Sequence, residues 1–341
     1  MADQQRIELA LQRCRASVTG WAEVPVEAFT WDAPKGFSSF TLGIHRKGEA
    51  GPDSVLYRSL EGKENAILDP VQEREVFLLL GEHDIAAKCL AYQRDFRIEA
   101  FYDGRSLTRH DLADHGVLSG IAAELHRMHR IEPAGLPDDT FFELLHTKWR
   151  QLGLPVVTSK RSELPPDERE MCDELVAMYT EEAAAMVGDF LPNSATTFCH
   201  NDTYHGNVMK LDDGAIKLLD FEFSCRNHPA FDFANLFAET VTRHGLDEPP
   251  HFTIVDPEYT VEQIEALVTD YVTLSQLDDD SRTSETERLV AETVRMIPLS
   301  DYMYAMAAVP LALDPVQKIR FIPYAHARWN RFRRAHNDRF G

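Results

Sequence analysis

The feature that most constrains this chain is one segment, residues 198–224, in which polar side chains recur at short intervals between apolar runs. A short strand is predicted at 196–200, because the run TTFCH is β-branched and aromatic. Asp202 and Asn207 follow it in a predicted loop. A carboxylate and an amide five residues apart, placed directly after a strand, suggest a chemical site.

The second half of this segment predicts a β-hairpin. Asp212-Asp213-Gly214 is a tight-turn sequence between two apolar runs. Asp220 and Glu222 are predicted to alternate along the second strand and to point to the same face. The run AIKLL before them predicts a half-buried strand, where neighbouring carboxylates would repel each other unless a cation lay between them.

This layout matches the requirements of phosphoryl transfer. One carboxylate accepts the proton of an attacking hydroxyl, while an amide oxygen and a second carboxylate hold magnesium on the nucleotide phosphates. Asp and Asn are also common in loops because they cap helices and form turns, so one D-x-x-x-x-N alone carries little information. The combination of loop and hairpin favours the functional interpretation.

The rest of the chain predicts two differently built parts. Before Gly104, strands are predicted at 36–46 and 54–60, a helix at 69–84, and two more strands at 88–95 and 96–104. After it, the periodicity is mainly helical, and helices are predicted at three ranges: 107–131, 140–153 and 165–189. We therefore predict an α+β protein with a small β-rich N-lobe, residues 1–103, and a large mostly helical C-lobe, residues 104–341.

The charge balance narrows the possible partners. The chain has 341 residues, with 56 Asp and Glu against 35 Lys and Arg, a net charge of −21. Such acidity disfavours nucleic acid and anionic membrane surfaces, and it suits a cationic small molecule. Five scattered cysteines without a C-x-x-C pair predict reduced thiols. With no signal-peptide pattern and no apolar run long enough for a membrane span, we expect a cytoplasmic protein without membrane insertion.

Three consecutive motifs carry a family resemblance. They are H-N-D-x-x-x-x-N, then L-D-F-E-F, then F-D-F-A-N-L-F-A-E at 231–239. Together they resemble the choline/ethanolamine kinases, relatives of the aminoglycoside phosphotransferases, over residues 34–335. The resemblance implies a two-lobed protein-kinase-like fold and an ATP- and Mg²⁺-dependent kinase for choline or ethanolamine, the first step of phosphatidylcholine and phosphatidylethanolamine synthesis. It also implies that a homodimer is possible.

The resemblance assigns roles in the C-lobe. It implies that Asp202 is the catalytic base and that His200 supports its loop. Asn207 and Asp220 would bind magnesium, with Glu222 near a second metal or the substrate. Further positions would support the loop or line the substrate side: Asp232 and Glu239 respectively. His126 and His129 are expected to support the loop rather than to bind zinc.

The resemblance also assigns nucleotide contacts in the N-lobe. The turn KGFSSFT, with Gly36, Ser38 and Ser39, would cover the nucleotide phosphates, and Arg58 would bind them. Glu73 or Glu75 would hold Arg58, and the family register favours Glu73. The stretch 97–101 resembles the family's hinge to adenine, which brings in Glu99 and Phe101.

The predicted acceptor pocket departs from the family pattern. The family's W-x-x-W becomes Tyr304-Ala-Met-Ala307, Phe223 replaces a tyrosine, and Tyr324 keeps its aromatic ring. A thinner aromatic cage holds a trimethylammonium group less well, which favours ethanolamine or a partly methylated amine. Two alternatives stay open: a kinase of the same fold acting on an aminoglycoside or a thiosugar, and a nucleotide-binding pseudokinase.

Overall fold

The computed structural model describes residues 2–33, 40–47, 51–61, 69–314 and 319–341. The chain divides into two compact units, an N-terminal unit of Met1–Ala66 with Glu73–Gly104, and a C-terminal unit of Ile67–Gln72 with Arg105–Gly341. The functional roles given to residues 1–103 and 104–341 stay predictions. The predicted phosphate turn with Gly36, Ser38 and Ser39 lies outside the described residues.

The N-terminal unit is built on one antiparallel sheet of five strands, in the order β1-β2-β3-β5-β4. The predicted strands and the helix that follows them are present, whereas the first helix and β1 were not predicted. The bounds are α1 Ala2–Ser17, β1 Phe29–Trp31, β2 Thr41–Arg46, β3 Ser54–Ser59, α2 Pro70–Glu82, β4 Cys89–Tyr92 and β5 Phe96–Ala100.

The two faces of this sheet differ in chemistry because side chains alternate along each strand. On one face Tyr57, Phe96 and Ile98 pack into a core with residues of α1 and with Trp21. The alternate positions of β3 and β5 carry three charged side chains: Arg58, Arg97 and Glu99. The sheet therefore has one apolar face and one face able to hold ion pairs.

The C-terminal unit is mainly helical, with short strands between its helices. The helices are α3 His115–Met128, α4 Phe141–Val157, α5 Pro166–Val176, α6 Glu181–Phe190, α7 Pro229–Ala238, α8 Val261–Thr273, α9 Asp279–Leu311 and α10 Phe321–Phe340. The strands that accompany them are β6 Gly104–Ser106, β7 Thr197–Cys199, β8 Val208–Leu211, β9 Ile216–Leu218, β10 Cys225–Asn227, β11 Thr242–His244 and β12 Phe252–Ile254.

Two of the predicted helices are shorter than expected, and capping explains both. The helix predicted at 107–131 begins at His115, because the Asp114 side chain accepts the backbone N–H of Gly116 at 2.8 Å. The helix predicted at 165–189 is divided in two, because Thr180 accepts the N–H of Ala183 and starts α6.

The hairpin predicted around Asp212–Gly214 is confirmed. β8 and β9 pair antiparallel, and Gly214 has φ +90°, the left-handed conformation that such a turn requires. The hairpin of β11 and β12 was not predicted, because each of its strands has only three residues. Paired with β6, the β8–β9 hairpin forms the small sheet that carries the polar segment.

Two sequence expectations concern the chain as a whole. All five cysteines have free thiols, as predicted. In the part of the chain that the structure describes, no helix has both the length and the apolar character needed to cross a membrane.

Candidate active site

The loop that follows β7 is fixed by hydrogen bonds of the buried His200 ring. Nδ1 of His200 accepts the backbone N–H of Asp202 at 3.2 Å, so Nε2 carries the proton and donates to the carbonyl of Leu219 at 2.9 Å. Burial lowers the pKa of His200, which favours this neutral form. His200 therefore ties the loop to the chain just before Asp220.

A buried carboxylate, Asp232 in α7, also holds this loop through hydrogen bonds. Its oxygens accept the backbone N–H groups of His200 at 2.8 Å and Asn201 at 2.7 Å. Nε2 of His129 lies 2.9 Å from Oδ2 of Asp232, and the hydroxyl of Tyr271 lies 2.9 Å from Nδ1 of the same ring. Although His129, Cys199 and Asp232 lie close enough to hold a metal ion, the carboxylate is already satisfied by donors.

Asn201 adopts a left-handed backbone conformation, with φ +66°. Its amide group donates to the carbonyl of Phe223 at 2.9 Å, and its oxygen accepts from Asn227 at 2.7 Å. Asn is the residue besides glycine that adopts this conformation most readily. The chain therefore bends directly before Asp202.

The carboxylate of Asp202 is held at both oxygens. Nδ2 of Asn207 donates to Oδ2 at 2.7 Å, and the hydroxyl of Tyr304 donates to Oδ1. Burial raises the pKa of Asp202, and the nearby carboxylates of Asp220 and Glu222 raise it further, while the Tyr304 hydrogen bond opposes them. The spacing of Asp202 and Asn207 therefore brings a carboxylate and an amide into direct contact, as the loop pattern suggested.

The prediction that Asp220 and Glu222 alternate along a strand is wrong. β9 ends at Leu218, and Asp220 has φ +65°, which is incompatible with an extended strand. Both carboxylates lie in the irregular segment before β10. They nevertheless lie close enough to Asp202 to raise its pKa together with Glu239.

The donor set beside Asp202 fits a hard divalent cation. Because the Asn207 amide nitrogen donates to Asp202, its Oδ1 is the atom left to act as a ligand. The carboxylates of Asp220 and Glu222 add oxygen ligands of the kind that Mg²⁺ prefers. The carboxylates of Asp220, Glu222 and Glu239 each raise the pKa of Asp202, and a cation beside Asp202 would offset this repulsion.

Three of the residues expected around the acceptor, Tyr304, Tyr324 and Glu239, surround a buried cation of this chain. The guanidinium of Arg328 lies 5.0 Å from the ring centroid of Tyr304 and 5.9 Å from that of Tyr324. Its Nη2 lies 2.5 Å from Oε1 of Glu239, and both side chains are buried. The Phe223 ring packs against the Trp149 ring in a T-shaped arrangement, with 5.3 Å between the ring centroids.

Sequence reasoning missed Arg328, although the sequence carries a signal for it. In α10 the buried positions follow helical spacing: Ile322, Tyr324, Ala325, Arg328, Trp329 and Phe332. An arginine inside an apolar stripe needs buried partners. Asp301 in α9, whose Oδ1 lies 2.7 Å from Nε of Arg328, is another such partner.

The charged face of the N-terminal sheet holds the residues expected at the nucleotide. Glu73 is buried and its Oε1 lies 3.6 Å from Nη1 of Arg97, whereas Glu75 is exposed. Nε of Arg58 lies 3.5 Å from Oε1 of Glu99, which also accepts from Arg97 at 2.6 Å. Arg97, whose role the sequence did not indicate, thus lies at the centre of this ion-pair group.

Phe101 lies one residue beyond the end of β5. Its ring meets the His45 ring edge to face, with 4.9 Å between the ring centroids. Phe101 thus follows β5, the strand between β3 and β4 of the sheet, and its assignment to the hinge remains a prediction.

Comparison with known proteins identifies the family. The family model described as choline/ethanolamine kinase matches residues 36–333. The chain is 25% identical to the Caenorhabditis elegans protein named choline kinase A2, over 87% of this chain and 78% of that protein. It is 25% identical to the rat choline/ethanolamine kinase, over 94% of this chain and 84% of the relative.

Solved structures agree in fold. A choline kinase from Cryptosporidium parvum superposes with a TM-score of 0.77 at 20% identity, covering 97% of this chain and 96% of that one. A Plasmodium vivax ethanolamine kinase gives 0.71 at 19% identity, covering 93% and 87%. The α+β, protein-kinase-like fold expected from the sequence is therefore confirmed. The chain belongs to the choline/ethanolamine kinase family and is a phosphotransferase that acts on an alcohol group.

Proposed function

We propose that this enzyme transfers the terminal phosphoryl group of ATP to the hydroxyl of ethanolamine or choline, with Asp202 as the base. The observation that carries the proposal is the carboxylate of Asp202, held at one oxygen by Asn207 and at the other by Tyr304. Such a carboxylate is oriented before any substrate arrives, and a positioned base is what phosphoryl transfer requires of the protein.

In the proposed reaction the acceptor hydroxyl attacks the terminal phosphorus while its proton passes to Asp202. The bond from that phosphorus to the bridging oxygen breaks, and ADP leaves with the electron pair. His200 and Asp232 take no proton in this scheme. Their hydrogen bonds to the backbone of the loop keep Asp202 in place.

Asn207, Asp220 and Glu222 are the residues that would hold Mg²⁺. When bound, the ion would neutralise charge on the phosphate oxygens. The oxygen character of this donor set, and the rise in the pKa of Asp202 that Asp220 and Glu222 cause, support the assignment.

In the N-terminal unit, we assign Arg58 to the nucleotide phosphates. Its pairing with Glu99, and the neighbouring pair of Glu73 with Arg97, support a guanidinium held in a fixed orientation. Phe101, directly after the end of β5, would contact the adenine. The turn with Gly36, Ser38 and Ser39 would cover the phosphates.

The acceptor is proposed to be a small ammonium alcohol, with ethanolamine preferred over choline. Arg328 lies near the Tyr304 and Tyr324 rings, which leaves less aromatic surface for a trimethylammonium group. Glu239 and Phe223 are assigned to the same side of the site. A cytoplasmic location and a homodimer, both expected from the sequence, remain predictions.

The test is ATP turnover with choline, ethanolamine and the mono- and dimethylated ethanolamines in parallel, alongside an aminoglycoside and a thiosugar. We expect the highest kcat/KM for ethanolamine or a partly methylated amine. Negligible rates with all four amino alcohols, together with turnover of a sugar acceptor, would favour the same-fold alternative. Negligible rates with every acceptor would favour the pseudokinase.

The base is tested with Asp202→Ala. We expect turnover to fall by at least about 1,000-fold while ATP affinity, measured by calorimetry, stays within about threefold. The matched control is Asp212→Ala, which removes an exposed carboxylate from the turn of the same segment. Turnover of Asp202→Ala close to the wild-type rate would remove Asp202 from the role of base.

A further inference from the structure

Tyr304 joins α9 to the loop that carries Asp202. Its hydroxyl donates to Oδ1 of Asp202, while the other oxygen, Oδ2, accepts from Asn207 at 2.7 Å. The two donors come from different parts of the C-terminal unit, one from the loop itself and one from a long helix. A carboxylate held at both ends cannot rotate about its Cβ–Cγ bond without breaking a hydrogen bond.

The Tyr304 ring is itself held by buried charged groups. Arg328 lies 5.0 Å from the ring centroid, and its guanidinium donates to Thr242 Oγ1 at 2.9 Å and pairs with Glu239. Arg328 is fully buried. The ring is therefore fixed by the protein rather than by a substrate.

The protonation state of the Tyr304 hydroxyl is the one that a hydrogen-bond donor needs. Burial and the neighbouring Asp202 raise its pKa well above the usual value, so the hydroxyl keeps its proton at neutral pH. Each carboxylate oxygen has two lone pairs. Oδ1 of Asp202 can therefore hold the Tyr304 hydroxyl and still accept a proton from an alcohol.

We infer that Tyr304 is a positioning residue for the phosphoryl transfer, whose hydroxyl orients the Asp202 carboxylate toward the acceptor. This inference rests on the proposed function, because it takes Asp202 as the base. This role depends on the hydroxyl oxygen of Tyr304. A residue that only lined the acceptor pocket with its aromatic ring would not need that oxygen.

The kinetic test is Tyr304→Phe, which removes that oxygen and keeps the ring against Arg328. We expect kcat to fall about 10- to 100-fold, the effect of losing a hydrogen bond to a charged group, with KM for the acceptor changed less than about threefold. The matched control is Tyr302→Phe, two residues earlier in α9. The hydroxyl of Tyr302 lies 3.0 Å from Nδ1 of His146 and donates to the carbonyl of Met178 at 3.3 Å.

Tyr302→Phe should keep kcat within about twofold of the wild type. An unchanged kcat in Tyr304→Phe would overturn the inference. Equal losses in the two variants would also overturn it, because they would indicate a general effect of removing a buried hydroxyl from α9.

A second readout does not depend on activity. With tyrosine labelled by ¹³C at Cζ, the Tyr304 resonance is the one that disappears in Tyr304→Phe, and Tyr302 is assigned in the same way. In Asp202→Ala the Tyr304 resonance should shift while that of Tyr302 stays in place. A Tyr304 resonance unaffected by Asp202→Ala would overturn the inference, whereas a wild type inactive on every amino alcohol would overturn the proposed substrate and leave this result intact.

Discussion

Oδ2 of Asp232 lies 2.8 Å from the backbone nitrogen of His200, and both residues are fully buried. The carboxylate thus lies in α7, but it accepts hydrogen bonds from the loop after β7. Its negative charge is compensated by N–H donors and by His129 rather than by a neighbouring arginine or lysine in the described contacts.

Replacing Asp232 by Asn should weaken the fold and the activity together. An amide offers one accepting oxygen, and its NH₂ group would face a backbone N–H, so a buried donor would lose its partner. We expect a loss of about 2–3 kcal/mol in the free energy of unfolding, measured in urea, and a lower kcat. Asp212→Asn, in an exposed turn, should change neither quantity, and a fully stable Asp232→Asn would contradict this account.

Replacing either of two helical glycines by alanine should change the stability of the protein, but in opposite directions. A Cβ on Gly153 in α4 would overlap the hydroxyl of the buried Tyr179, whereas a Cβ on Gly188 in α6 meets nothing within 4 Å. We expect Gly153→Ala to destabilise by about 1–3 kcal/mol and Gly188→Ala to stabilise by about 0.5–1 kcal/mol. Thermal and urea unfolding of the pair measure both, and a shift of the same sign in both variants would be inconsistent with this packing.

Breaking the buried ion pair of Arg328 should cost far more than breaking a nearby pair whose arginine is partly exposed. Arg328→Met would leave the buried carboxylate of Glu239 without its cation, with an expected loss of about 3–5 kcal/mol. Arg331 contacts Asp301 at 3.2 Å from a side chain that is 34% exposed. Arg331→Met should cost less than about 1 kcal/mol. Comparable losses in urea unfolding would show that burial does not set the difference.

Stability should fall in mild acid partly through His228. Burial lowers the pKa of this side chain, with Glu292 opposing and Arg288 adding to the shift. The unfolded chain then binds a proton at His228 more readily than the folded protein does. The stability that neutral His228 contributes is therefore fully present above its unfolded pKa of about 6.5, and it is lost as the pH falls toward the lower pKa of the folded state. His228→Asn removes the titration and places a residue that is favoured at helix N-termini before α7, where the His228 side chain makes no capping hydrogen bond. Urea unfolding at pH 7.5 and 5.5 should show a smaller decrease in the variant, and an identical decrease would exclude this contribution.

Ala307→Trp should raise the preference for choline. It adds an aromatic ring one helical turn after Tyr304, and a cation–π contact contributes about 0.5–2 kcal/mol, or roughly 2- to 30-fold in kcat/KM. Val294→Trp places the same ring on an exposed position of α9 and is the control. An unchanged ratio of choline to ethanolamine turnover in Ala307→Trp would argue against the thinned cage.

Local chemistry explains which elements could be predicted from the sequence. Asp212-Asp213-Gly214 specifies its turn within three residues, and Thr140 with Glu143 forms a capping box that starts α4. The short strands β11 and β12 gain their stability from pairing with each other, which leaves little local signal.

The site was predictable in its residue types and less so in its contacts. The motif spacing brought Asp202 and Asn207 together as expected, because both lie in one loop. The strand expected at Asp220 failed, since nothing in a single aspartate indicates a left-handed backbone. The contact of Tyr304 with Asp202 joins residues 102 positions apart. Arg328 pairs with Glu239, directly after α7, and with Asp301 in α9, so neither arrangement can be read from a local pattern.

Asn201 and Asp220 both have a left-handed backbone conformation. At Asp220 the residue that this conformation favours differs from the residue that the proposed chemistry requires. Glycine would adopt both conformations without the steric penalty that a Cβ imposes. Selection for heat tolerance alone could therefore favour glycine at Asp220, and it would erase a carboxylate that we assign to the metal. Directed evolution of this enzyme should accordingly score turnover in every round, because a variant selected for heat tolerance through glycine at this position would lack the carboxylate.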